Sequence, residues 1–218
     1  MLAKGKRWSY EYVSTMDQGG IGLELDEYTH GFTTQNRVMR GLWKVVQVTL
    51  FSLSPSFAHS WRRTLLRLFG AKIHPTAHVY PSVRIWAPWN LEMGRRSCLS
   101  WGVDCYCVDR ISLGENALVS QYARLIAASH AIDSPNFHLV RRPIVLESES
   151  WVCAYAYIGM GVTVGRGAVV AATATVVKSV EPWAIVGGNP AQPIGMRRTC
   201  EGPTTRGENS GQGGGSCE

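Results

Sequence analysis

Aliphatic residues recur at every sixth position along much of this chain. Counting from Ile73 gives Val79 and Ile85, then Met93, Leu99 and Cys105, then Leu113, Val119 and Leu125. After a gap the count resumes at Leu146, Val152, Ile158, Val164, Val170 and Val176. Four places after the aliphatic comes a small or slim residue: Ala117, Ala123, Ser129, Ser150, Ala156, Val162, Ala168, Ala174 and Val180. An amphipathic helix repeats near 3.6 residues and a half-buried strand near 2, so neither pattern produces this one. A six-residue unit is too small to bury its own apolar face and must stack on copies of itself. The pattern therefore predicts a mainly β protein, a parallel β-helix in which three hexapeptides make one triangular coil. The aliphatic residues point inward and the small residues sit where the chain bends. A sandwich of short strands is the competing reading, and its turns would be less regularly spaced.

The exceptions to the period carry as much information as the period. Ile85 to Met93 and Cys105 to Leu113 are each eight places, so two extra residues fall at the same corner of successive coils. At that corner of the third coil, Leu125 to Leu146 is twenty-one places, so some fifteen residues are inserted. The insertion, about 130–143, reads HAIDSPNFHLVRRP, and the prediction is a loop that opens with His130 itself. Loops held by a rigid scaffold are where binding and catalytic groups concentrate. Histidine is the side chain best suited to accept a proton near neutral pH. A surface or packing role is the better reading for His30, His59, His74, His78 and His138.

Between Thr34 and Phe69 the period changes, with apolar residues at Val38, Leu42, Val45, Val46, Leu50 and Leu53, then Trp61, Leu65, Leu66, Leu68 and Phe69. This predicts two helices separated by the turn at Ser54-Pro55, with Gly70 stopping the second. Four segments follow: an N-terminal extension over 1–33, a helical cap over 34–72, the β-helix over 73–198 and a tail over 199–218. The tail is rich in Gly and Ser and lacks aliphatic residues, which predicts disorder. Two roles are open for the helices. They close the end of the solenoid, or Arg37, Arg40, Lys44, Arg62, Arg63 and Arg67 lay them on an anionic membrane surface. Their apolar runs are far short of the length needed to span a bilayer.

The 218 residues, 45% hydrophobic, suffice for one domain with a core. A net charge of +6, mostly from arginine, suits an anionic ligand or surface, and no nucleic-acid-binding motif is present. The first thirty residues lack an apolar run of secretory length, so the cytoplasm is expected. Six cysteines, Cys98, Cys105, Cys107, Cys153, Cys200 and Cys217, show no CxxC pair and no zinc-finger spacing, and are read as reduced thiols with no metal. Cys105 lies on the inward register and acts there as a small hydrophobe.

The words LFGAKIHPTAHVYPSVRIWAPWNLEMG, WGVDCYC, SHAIDSPNF and VEPWAIVGGNPA resemble those of hexapeptide-repeat O-acyltransferases, most closely the acetyltransferases of the colanic acid biosynthesis type. The resemblance covers about residues 35–198 and implies a left-handed β-helix. It implies an activity in exopolysaccharide biosynthesis, with acetyl-CoA as co-substrate, a sugar or glycan hydroxyl as acceptor and His130 as general base. It also implies a homotrimer whose active sites lie between chains. The donor would lie near Trp151, Ala154, Ala172 and Lys178, with Lys178, Arg197 and Arg198 as cations for its phosphates. The sequence departs from relatives that carry serine where Ala154 stands and arginine near Gln192 and Gly195. Asp104 and Tyr106, one coil before the His130 corner, are candidates for holding the acceptor, with a turn role the alternative for Asp104. A scaffold that kept the fold and lost the chemistry is the reading from a different class. A hexapeptide-repeat carbonic anhydrase would need a set of metal-binding histidines that the spacing does not offer.

Overall fold

A computed structural model describes residues 31–198, so the expectations for the N-terminal extension before Gly31, for the tail and for Cys200 and Cys217 lie outside the described residues. The six-residue period becomes a parallel β-helix with three flat faces. Face one stacks Lys72–Ile73, Leu91–Met93, Ile111–Leu113, Ile144–Leu146 and Thr163–Val164. Face two stacks His78–Val79, Cys98–Leu99, Leu118–Val119, Trp151–Val152, Val169–Val170 and Ala184–Gly187. Face three stacks Arg84–Ile85, Asp104–Tyr106, Arg124–Ile126, Tyr157–Ile158 and Thr175–Val176.

Register follows the hydrophobic pattern. Val79, Leu99, Val119, Val152, Val170 and Val186 are directly stacked partners, and so are Ile85, Cys105, Leu125, Ile158 and Val176. All are buried, as are the bend residues Ala77, Ala117, Ala123, Ala156, Ala168 and Ala174. A one-residue slip would turn every aliphatic ladder outward, which is why so short a unit still specifies its pairing. Serine replaces alanine at two bends, and each buried hydroxyl is satisfied locally: Ser97 donates to the Gly94 carbonyl at 2.8 Å and Ser150 to the Glu147 carbonyl at 2.7 Å.

Each coil bonds the coils on both sides of it: the amides of His78, Tyr80 and Arg84 donate to Ser97, Leu99 and Val103 of the coil after, and those of Asn116 and Tyr122 donate to Arg95 and Trp101 of the coil before. The first coil therefore has backbone groups, carbonyls among them, with no preceding coil to pair them. Helix α1 (Thr34–Val46), its π-helical continuation Gln47–Phe51 and helix α2 (His59–Leu68) supply the missing donors. Trp43 Nε1 donates to the Ile85 carbonyl at 2.7 Å and Gln47 Nε2 to Val83 at 3.2 Å. Arg62 Nε donates to Val79 at 2.6 Å, Arg63 Nη1 to Ala77 at 2.9 Å and Arg67 Nη2 to Ile73 at 2.6 Å. Much of the arginine in this segment thus answers a need of the backbone. Gly70 ends α2 at φ +88°, the left-handed conformation that glycine adopts at no steric cost.

Several apolar residues of α1 and the connection, Val38, Leu42, Val45, Leu50 and Leu53, point away from the β-helix, while Trp43 and Phe51 are buried. Trp86 and Trp89 are half-buried against the core, with the Arg40 guanidinium 4.7 Å over the Trp86 ring.

Arg62 is fully buried, and its guanidinium also bonds Ser54 Oγ and the Pro55 and Ser56 carbonyls at 2.6–2.8 Å. Arg62→Leu keeps the bulk and removes the donors, and it should destabilise the protein by roughly 2 kcal/mol or more because buried carbonyls lose their partners. Chemical denaturation measures this, and an unchanged midpoint would mean that these contacts do not hold the cap.

Candidate active site

Three edges run the length of the prism, and the predicted site residues divide among them. The edge between faces three and one carries the irregularities. In the first two coils it holds the turns Pro88–Asn90 and 107–110, stitched together by Asn90 Nδ2, which donates to the Cys107 and Val108 carbonyls at 3.0 and 2.9 Å. In the third coil the same edge throws out the long insertion. It leaves as an antiparallel hairpin, Ala128–His130 against Leu139–Arg141, and so begins two residues earlier than the predicted loop. The reason is that an outgoing backbone away from the coils must find new hydrogen-bond partners, and its own return strand provides them.

His130 is the last residue of the outgoing strand and pairs in register with Leu139. Its ring is exposed, with Nδ1 2.6 Å from the Phe137 carbonyl. A carbonyl only accepts, so Nδ1 carries the proton in the neutral ring and the basic lone pair resides on Nε2. Phe137 reaches this position through the turn at the hairpin tip, where it takes φ +43° and its amide donates to Ser134 at 3.1 Å. Ser134 Oγ donates to Asn136 Oδ1 at 2.7 Å and lies 3.0 Å from His138 Nδ1, which ties the tip together.

Asp104 and Tyr106 stand on face three one coil before the hairpin, and Tyr106 pairs with Ile126 just before the chain leaves. Asp104 is a strand residue, so the turn alternative does not hold for it. Its carboxylate is bridged by Arg84 at 2.7 Å, while the Tyr106 ring packs 4.9 Å from Trp86. Both line a cavity of about 410 Å³ between α1 and face three, together with Arg40, Lys44, Arg84 and Trp86. Arg84 was legible in the sequence, because it lies twenty places before Asp104 and one coil is twenty residues there. Arg40 and Lys44 were not, since nothing local tells which face a helix will meet. The Phe137 carbonyl was also missed, being created by hairpin closure.

Ala154 and Ala172 occupy equivalent turns on the edge between faces two and three, joined by the Thr173 amide, which donates to Ala154 at 3.0 Å. Trp151 lies beside them on face two, 40% exposed, with Nε1 donating to Ser120 Oγ at 2.9 Å. This flank is aromatic and outward: Trp101, Tyr122 and Tyr155 are exposed, and the two tyrosine rings stack at 5.1 Å. Lys178 falls on the His130 edge two coils later. Arg197 lies on the remaining edge, where Nη1 donates to the Glu149 carbonyl at 2.8 Å and to Gly167 at 3.2 Å. Within one chain, therefore, His130 and the Ala154–Ala172 edge are separated by the whole of face three. The GGNPA word forms the turn that reverses the chain from Ala184–Gly187 into the antiparallel strand Gln192–Met196.

Among the described residues no group of three or more metal-ligating side chains is present. Cys105 and Cys107 are buried. Burial pushes the Cys98 thiol up to about 11 and raises that of Cys153.

A hexapeptide coil with a histidine-bearing hairpin ejected at one edge defines a class, the hexapeptide-repeat acyltransferases. Within it, this chain belongs to the hexapeptide-repeat acetyltransferases. It is 37% identical over 167 residues, 77% of this chain and 92% of the relative, to WcaF of Escherichia coli strain K12, whose name proposes an acetyltransferase of colanic acid biosynthesis. The same figures hold for WcaF of Shigella flexneri. No family model matches the chain. Among solved structures it is similar to a hexapeptide-repeat acetyltransferase of Vibrio cholerae O1 biovar eltor in complex with acetyl coenzyme A. That match has 25% identity and a TM-score of 0.69, covering 81% of this chain and 96% of that one. A galactoside acetyltransferase in complex with coenzyme A, 20% identical with a TM-score of 0.70 over 77% of this chain and 85% of its own, shares the fold.

A thiol held near 11 is only about one part in ten thousand thiolate at pH 7, so Cys98 should be inert to iodoacetamide in the native protein and react after unfolding. Peptide mass spectrometry reads this out. Rapid native labelling of Cys98 would reopen a cysteine nucleophile.

Proposed function

We propose that this acetyltransferase moves the acetyl group of acetyl-CoA directly onto a hydroxyl of a sugar or glycan in exopolysaccharide biosynthesis, with His130 as general base. The observation that carries the reading is the 2.6 Å contact between His130 Nδ1 and the Phe137 carbonyl, which makes Nε2 the basic nitrogen of the neutral ring. Nε2 accepts the acceptor's hydroxyl proton while the oxygen attacks the thioester carbonyl carbon. The C–S bond then breaks, and the coenzyme A thiolate leaves with that proton. No acyl-enzyme forms. A positioned base contributes about 10²- to 10⁴-fold, and positioning with amide donors at the developing oxyanion supplies much of the rest.

Asp104 and Tyr106, in the cavity beside α1, are assigned to the acceptor, and the edge carrying Trp151, Ala154 and Ala172 to the donor. Ala154 offers only its backbone there. Lys178 and Arg197 are assigned to the coenzyme A phosphates. Because donor edge and base are a full face apart in one chain, the reading places them together across subunits of a homotrimer. The outward aromatic flank at Trp101, Tyr122, Trp151 and Tyr155 supports such a packing, since large exposed apolar groups in a row suit an interface. Acetyl-CoA as donor makes the cytoplasm the compartment.

His130→Ala should lower kcat by about 10²-fold or more while leaving acetyl-CoA affinity and the melting temperature near wild type, as expected for a group acting mainly in the transition state. A folded His130→Ala protein that binds acetyl-CoA and turns over within a few-fold of wild type would remove the base mechanism. Wild-type protein that binds acetyl-CoA yet transfers nothing to any glycan would favour a binding scaffold.

Mixing the His130→Ala chain with an Ala172→Arg chain, each inactive alone, should restore part of the activity if base and donor edge come from different subunits. Absence of rescue despite verified chain exchange, or a monomer by light scattering, would sink the shared site.

A further inference from the structure

We infer that the outer face of α1 and the α1–α2 connection is a docking surface for an anionic lipid membrane, which the protein meets without crossing. The β-helix needs only one side of α1: Trp43 and Gln47 reach its first-coil carbonyls. The opposite side presents Val38, Leu42 and Val45, one helical turn apart and all more than half exposed. The connection continues the surface with Leu53 at 80% and Phe57 at 83% exposure. Trp61 joins it from α2, its Nε1 donating to the Leu50 carbonyl at 2.9 Å. Isolated exposed apolar residues are ordinary, but a helix stripe continued by two nearly bare loop residues is a coherent patch.

Charge selects the occupant. Residues 31–69 contain six basic residues, Arg37, Arg40, Lys44, Arg62, Arg63 and Arg67, and no aspartate or glutamate. Arg62, Arg63 and Arg67 are committed to first-coil carbonyls, but Arg37 and Lys44 lie exposed along one flank of the apolar stripe. Apolar side chains at the acyl boundary with cations at headgroup level is the arrangement an interfacial helix requires, each cation adding attraction that salt screens. Among the described residues no helix is long and apolar enough to cross a membrane, so α1 would lie in the interface plane.

The test is sedimentation of the full-length protein with phosphatidylglycerol–phosphatidylcholine vesicles and with pure phosphatidylcholine vesicles. Binding to the anionic vesicles should exceed that to the neutral ones by about tenfold and should weaken at high salt. Leu42→Ser/Leu53→Ser/Phe57→Ser should abolish it with the thermal melt and acetyl-CoA binding unchanged, because all three side chains are exposed. Val38→Ser/Val45→Ser serves as an independent second variant should the first fail to fold, and Arg37→Glu should weaken binding to anionic vesicles alone. The inference is overturned if wild-type protein stays in the supernatant with both vesicles, as it would if the chain's own termini cover the face. It is overturned equally if the variants bind like wild type, or if they change only the oligomeric mass, which would make the face a contact between copies. None of these outcomes depends on the assignment of His130.

Discussion

In a parallel coil each strand pairs with the coil before it and the coil after it, so the first coil is left with backbone groups, carbonyls among them, that no preceding coil can pair. The helical segment answers that open edge. At the N-terminal end five first-coil carbonyls, those of Ile73, Ala77, Val79, Val83 and Ile85, accept from side chains of the helical segment. Only a donor can meet a carbonyl, and the segment presents arginine, tryptophan and glutamine at these contacts. This pairing also orients α1. At about 100° per residue, aiming Trp43 and Gln47 at the coil turns Val38, Leu42 and Val45 to the opposite side. The cap and the exposed apolar stripe are two consequences of one constraint.

The same stacking makes the prism a rigid support for its one large irregularity. Turns with small buried residues repeat so closely that extra residues are accommodated only where successive coils already bulge, at the edge between faces three and one. The first two coils use that edge for short turns held by Asn90, and the third extends it into the hairpin of His130. The histidine is thus fixed at the root, where the ladder still imposes register, while the tip supplies the carbonyl that sets its tautomer.

The interior of so narrow a solenoid is filled by aliphatic ladders. Any chemistry must therefore be done on its outside, and a single convex edge cannot enclose two substrates. The proposed division of labour, with base and acceptor groups at one edge and donor turns at another, suits a site completed by packing prisms side by side. The cavity at Asp104 and Tyr106 is concave only because α1 leans against face three. On that proposal the helical segment contributes to the site as well as to the end of the fold.

What the sequence determined by itself was the part that depends on period. Inward register, bend residues, coil length, the bulged edge and the position of the insertion all follow from counting, because a repeat that buries one residue in six has a single way to stack. Even the Arg84–Asp104 pair was implicit in a twenty-residue coil. Tertiary structure alone decided what lies between unlike elements. Which side of α1 faces the coil, that Trp86 and Trp89 are covered, that Lys178 and Arg197 fall on different edges from Ala154, and that Phe137 meets His130 are all set by how a helix or hairpin docks. Such contacts join residues with no fixed spacing, so no local pattern encodes them, and only the folded chain brings them into reach.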